Sequence, residues 1–99
     1  MAKYEWDQKK DELNRDKHRI SFNRAKEVFE DPFRIEYPGT PNSSNENRAV
    51  TVGKVMGRFL IAVVYTLRDT VYRIISARQA RNSEIKDYIR KKFEQFEDD

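Results

Sequence analysis

The sequence predicts a single α+β domain: an antiparallel sheet of about four to five strands, with two helices before it and one after it. Three observations predict it. Apolar residues at helical spacing occur near the two ends of the chain, strand-like alternation fills the middle, and the connections between the candidate strands are short. At 99 residues the chain has the length of one domain. Residues 1–96 are expected to form it, and Glu97-Asp98-Asp99 to fray as an acidic tail.

Tyr4-Glu5-Trp6 is a candidate first strand. Asp7 suits the N-cap of the charged run that follows, because its carboxylate can accept free backbone N–H groups. Residues 8–18 then read as a surface helix in which Leu13 is the one large aliphatic side chain. Ser21 caps a second helix that sets Phe22, Ala25, Val28 and Phe29 on one face, and Asp31-Pro32 stops it. Phe33, Ile35 and Tyr37 alternate with charged residues as in a half-buried strand. The polar loop 38–47 follows, with two prolines and one glycine. Residues 48–55 form the next strand, and Met56-Gly57 turns the chain. Phe59 to Tyr65 is the most apolar stretch and reads as a central strand buried on both faces. Leu67-Arg68-Asp69 turns again, and Thr70 to Ala77 is the last strand. Residues 83–96 form the closing helix, capped by Asn82 or Ser83, with Ile85, Tyr88, Ile89, Phe93 and Phe96 marking its apolar face.

Composition narrows the chemistry. The chain has no cysteine and one histidine, so neither a disulfide framework nor a metal site of thiolates and imidazoles is expected. No apolar run approaches the ~20 residues that cross a bilayer. The residues from Met1 to Asp7 lack the apolar stretch of a secretory signal, and a cytoplasmic protein with no membrane contact is expected. The three glycines are scattered, so no glycine-rich phosphate loop is present and no cofactor is expected.

Charge is distributed unevenly. Residues 1–32 balance, whereas residues 33–82 carry eight basic and three acidic side chains. That excess is almost all arginine, whose planar fork matches phosphate and carboxylate. The candidates for chemistry are therefore Arg73 and Arg78 on and beside the last strand. Strict alternation puts Val71, Arg73, Ile75 and Ala77 on one face and Tyr72, Ile74 and Ser76 on the other. Arg78 then shares a site with Arg73 only if the strand ends or bulges near Ala77. A structural role competes in each case: a salt bridge for Arg73, a cap over the sheet edge for Arg78. His18, the single histidine, is a candidate general acid or base, or a helix C-cap. Glu46 and Arg48 flank the loop exit and are either functional or a cross-strand ion pair. Trp6 and Tyr65 are aromatic candidates for stacking on bases, or core.

Two stretches resemble the BrnT family of toxins from bacterial type II toxin–antitoxin systems. The first is Tyr4-Glu5-Trp6-Asp7, Lys10, Asn14, Lys17-His18, Phe22, Ala25, Val28-Phe29 and Asp31-Pro32. The second is Glu46, Arg48, Gly53, Val63-Val64-Tyr65-Thr66, Arg73-Ile74-Ile75-Ser76-Ala77-Arg78, Ala80, Glu84 and Tyr88. The match departs at Arg19, where the family usually has glycine; a left-handed conformation there would cost arginine about 1 kcal/mol. The resemblance implies a fold like that of RelE-type ribonucleases and a metal-independent endoribonuclease that cleaves RNA and inhibits translation. It also implies a cognate antitoxin with a ribbon-helix-helix DNA-binding end, a hetero-oligomer with that antitoxin, and operator DNA bound only through it. Arg73 and Arg78 are then expected to act on the phosphate, with His18 or Glu46 moving protons. Arg48, Arg58, Arg81 and Tyr65 are expected to bind RNA, on the ribosome or free of it. The rival expectation is a non-catalytic RNA- or protein-binding module, such as a degenerate toxin kept as a repressor partner.

Overall fold

The computed structural model describes residues 2–39 and 47–97, with side chains as far as Gln95. Most of loop 38–47, the end of the acidic tail and the Phe96 side chain lie outside the described residues. The chain runs β1 (Lys3–Glu5), α1 (Gln8–His18), α2 (Phe22–Ala25), a 3₁₀ turn (Lys26–Glu30), β2 (Ile35–Tyr37), β3 (Ala49–Val55), β4 (Phe59–Arg68), β5 (Val71–Gln79) and α3 (Asn82–Glu97). The expected order of helices and strands is therefore present. The five strands form one sheet in the order β1-β5-β4-β3-β2.

Local sequence explains where the helices begin. The Asp7 carboxylate accepts the N–H groups of Lys9 at 2.8 Å and Lys10 at 3.3 Å, and the Ser21 hydroxyl accepts that of Arg24 at 3.1 Å. Helix α1 ends at Arg19, whose φ of 62° is the left-handed conformation that glycine adopts without strain. The expected second helix narrows to a 3₁₀ turn after Ala25. Gly53 of β3 lies against this segment, and a Cβ there would come within 2.9 Å of the Val28 side chain.

Both faces of the sheet are packed. On one, Phe22, Ala25 and Val28 meet Val55, Ile61, Val63, Ile74 and Ala77. On the other, Tyr88 of α3 meets Ile35, Val52 and Ala62. Adjacent residues Ile61, Ala62 and Val63 are all buried, so β4 is covered on both sides as its sequence predicts. Asp31 joins the layers: its carboxylate accepts the N–H groups of Phe33 and Lys54 and the Tyr88 hydroxyl, all within 2.9 Å. Burial and this hydrogen bond hold the Tyr88 phenol well above its ordinary range.

The sheet is mostly antiparallel, as expected, with one parallel pair, β1 on β5, at its edge; the long connection between them frees that pair from hairpin geometry. Three expectations need correction. Strand β4 runs to Arg68, and the turn falls at Asp69, whose φ is 54°. Alternation along β5 is broken: Val64 pairs with Ser76 but Tyr65 with Ile74, so Ile75 is an extra residue. Finally, α3 turns a different face inward. Tyr88 is buried, whereas Ile89 is 46% and Phe93 63% exposed. Glu84 and Tyr88, one turn apart, are each tied to the sheet side by hydrogen bonds, which sets the helix rotation. Ile89 then sits about 100° around the axis from Tyr88.

Candidate nucleic-acid interface

The bulge at Ile75 decides how the arginines are arranged. Before it, Ser76 and Arg78 lie opposite Val64 and Ala62. After it, Arg73 lies opposite Thr66 and Tyr72 opposite Leu67. Positions 73, 76 and 78 therefore share the face that carries Ala62 and Val64, while Tyr72, Ile74 and Ala77 share the other. The bulge that would let both arginines line one side is present, two residues earlier than Ala77. Asn14 of α1 anchors the strand just past it. Its side-chain oxygen accepts the Ala77 N–H at 3.1 Å, and its amide donates to the Ile20 carbonyl at 2.9 Å.

Sharing a face does not give the two arginines one environment. The Arg78 guanidinium binds Glu84 through two bonds, at 2.8 and 3.0 Å, and also donates to the Gln79 carbonyl. Glu84 accepts the Arg81 N–H as well, at the start of α3. The hydrogen bonds from Arg78 hold the Glu84 carboxyl below the usual carboxylate range, and Glu84 in turn raises Arg78. Arg73, at the other end of β5, makes one looser ion pair, 3.3 Å from Glu5 of β1. The Glu5 side chain is 44% exposed and that of Arg73 29%. Val64 and Ser76, on the same face, are half-buried. Helix α3 packs mainly on β2 and β3, away from this end of β5.

His18 lies elsewhere. It lines a cleft of about 830 Å³ with Arg19, Arg24, Arg58, Gln79 and Ile85. Neither Arg73 nor Arg78 reaches that cleft, so the structure does not gather His18 with the strand arginines. Arg58 is exposed on the β3–β4 turn with its guanidinium 4.7 Å from the Phe59 ring centre, and Arg81 is exposed at the start of α3. Arg48 is half-buried, and its Nε has no hydrogen-bond partner among the described residues. Glu46 lies outside the described residues. Tyr65 does not present a ring face for a base. It is 9% exposed, packs edge-on against Phe29 and Tyr72, and donates its hydroxyl to Glu36 at 2.8 Å. Trp6 packs against Phe22 in the core, as its more ordinary reading expects.

A family model for the ribonuclease toxin BrnT of type II toxin–antitoxin systems matches residues 6–84. This chain belongs to the BrnT family. It is also similar to the crystal structure of the Brucella abortus ribonuclease toxin BrnT, with a TM-score of 0.67 and 25% identity over 83% of this chain and all of that one. No curated protein matches the chain. The BrnT match takes in His18, Arg73, Arg78 and Glu84 and begins one residue after Glu5. Type II membership implies an antitoxin partner. Among the described residues, no helix is long and apolar enough to cross a membrane.

Glu5 is the residue that chain order hides. It stands beside Arg73 only because β1 adds in parallel to β5, with Glu5 in register with Arg73. The signal available was the aromatic-Glu-Trp-Asp opening within the BrnT resemblance.

Proposed function

We propose that this BrnT-family toxin is a metal-independent endoribonuclease whose reactive surface is the Arg73 end of β5. The observation that carries this reading is the partly exposed Glu5–Arg73 pair, which sets a carboxylate and a guanidinium side by side. RNA supplies the nucleophile. The 2′-hydroxyl oxygen attacks the adjacent phosphorus, its proton passes to Glu5, and the bond from phosphorus to the 5′-oxygen breaks. The leaving oxygen takes a proton from water, and the products are a 2′,3′-cyclic phosphate and a 5′-hydroxyl. Arg73 stabilises the extra negative charge on the phosphoryl oxygens. A carboxylate is a weak base for this proton, so the rate depends on holding the RNA in line.

Arg78 takes a supporting part in this reading. Its donors are engaged by Glu84, and it fixes the strand's exit and the start of α3. His18, Glu46, Arg48, Arg58 and Arg81 are left as peripheral candidates for RNA contact. We further propose that cleavage inhibits translation in the cytoplasm and that a cognate ribbon-helix-helix antitoxin neutralises the toxin. The pair would repress its own operon, with operator DNA held by the antitoxin.

The test is cleavage of end-labelled RNA in EDTA by wild type and by Glu5→Gln, with the product ends identified. Wild type is expected to leave 2′,3′-cyclic phosphate ends and Glu5→Gln to be slower by about 10²-fold or more. Intact RNA with both proteins would favour the non-catalytic binding module. Equal rates would remove Glu5 from the reaction.

A further inference from the structure

The His18 cleft is not used by the reaction above, and its chemistry differs from that of the strand site. Arg15, Arg19, Arg24 and Arg58 line it, and among the described residues no acidic side chain does. Arg24 is paired with Glu27, but Arg19 and Arg58 have no ion pair among the described residues. The floor is aliphatic, with Val55, Leu60, Ile61 and Ile85. Phe59, at 47% exposed, and Met56, at 55%, leave apolar surface open to solvent at the same end of the sheet.

The apolar surface does not stop at the cleft. Ile85 belongs to α3, and the exposed Ile89 and Phe93 follow it at intervals of four residues. They continue the floor as a stripe of about 12 Å along the helix. Lys86 and Arg90 border that stripe and are exposed, Arg90 loosely paired with Asp87 at 3.7 Å. An apolar track with a basic margin along its length is unlike the scattered single hydrophobics of an ordinary surface.

We propose that the cleft and the outer stripe of α3 form one docking surface for an acidic amphipathic helix of a protein partner. A helix fits better than a nucleic-acid strand because the cleft floor is aliphatic and the Phe59 ring beside it has Arg58 stacked over it. Apolar anchors spaced by three and four residues would fill the floor and stripe, and flanking Asp and Glu would meet Arg19, Arg58, Lys86 and Arg90. The assignment rests on the toxin–antitoxin reading for the identity of the partner, the antitoxin, but not on the cleavage chemistry. Docking here leaves the Glu5–Arg73 end of β5 uncovered by this helix.

The experiment uses the full chain and a labelled probe, a helical peptide of roughly 16 residues with leucines at the anchor positions and glutamates elsewhere, about 24 Å long. Binding is followed by fluorescence anisotropy, beside a short single-stranded RNA. Two exposed positions are changed separately, Arg19→Glu at the end of α1 and Phe93→Ser on α3, with thermal melts to confirm folding. Each is expected to weaken peptide binding by about tenfold or more while leaving RNA affinity unchanged. Peptide binding that is absent, or equal in all three proteins, overturns the proposal. RNA affinity that falls with Arg19→Glu while peptide affinity holds assigns the cleft to RNA and also overturns it. Self-association by sedimentation that Phe93→Ser abolishes overturns it in favour of a second copy. Failure of the cleavage reading would show separately, as intact RNA beside normal peptide binding.

Discussion

The two ends of β5 carry the same side chain in two different states. Arg78 is held by both oxygens of Glu84, whose side chain is only 10% exposed, and the pair ties the sheet to α3. Arg73 meets a half-exposed Glu5 through one contact and keeps donors free for another anion. The bulge at Ile75 puts both on one face, so position does not separate them. What separates them is the burial of the partner carboxylate and the number of bonds already made. An arginine on a strand is thus no indication of function until its partner is known.

The comparison is broken most sharply by truncating each arginine. Arg78→Ala leaves Glu84 largely buried and unpaired, and is expected to cost about 3 kcal/mol. For a domain of this size that lowers Tm by more than about 10 °C in a thermal melt. Arg73→Ala, whose pair faces solvent, is expected to change stability by less than about 0.5 kcal/mol. If the two variants melt alike, the contrast between the ends is wrong.

Next in size is the anchoring of β5 by Asn14. Asn14→Ala removes the acceptor for the buried Ala77 N–H, and denaturant unfolding is expected to show a loss of about 2 kcal/mol. The Glu84 carboxyl gives a smaller, pH-dependent effect. Its pKa is lowered from 4.5 on folding, so the unfolded chain binds its proton more readily. The stability it adds is complete above pH 4.5 and is lost as pH falls through the lower folded value. Acid titration of wild type is expected to show this loss and Glu84→Gln to lack that component. The smallest effect has the opposite sign. Arg19→Gly relieves the left-handed C-cap and is expected to raise stability by about 0.5–1 kcal/mol in the same unfolding assay, while removing one arginine from the cleft rim.

Much of the fold could be read in the chain because its signals are local. Asp7 and Ser21 cap the helices they precede, and the Val, Ile and Phe runs form the strands. The features that escaped are set by partners distant in sequence. Parallel pairing brings Glu5 to Arg73 across nearly 70 residues, 73 minus 5 being 68. The Ala77 N–H, two residues past the bulge, finds its acceptor in Asn14, more than 60 residues earlier. Helix α3 rotates because Glu84 and Tyr88 find Arg78 and Asp31, which leaves Ile89 and Phe93 outside despite their helical spacing. Tyr65 looked like a stacking residue from composition, but its neighbours Phe29 and Tyr72 enclose it. At the site, the importance of β5 was visible in its arginines, and their division of labour was not.

The central claim is that Arg73 acts on RNA and Arg78 holds the fold. It is tested most directly by single-turnover cleavage of one RNA by wild type, Arg73→Ala and the charge-swapped pair Arg78→Glu with Glu84→Arg, all confirmed folded by thermal melts. The account predicts that Arg73→Ala slows cleavage by about 10²–10³-fold with little change in Tm, while the swapped pair cleaves within about tenfold of wild type. Cleavage undiminished in Arg73→Ala, or abolished in a fully folded swapped pair, would contradict it.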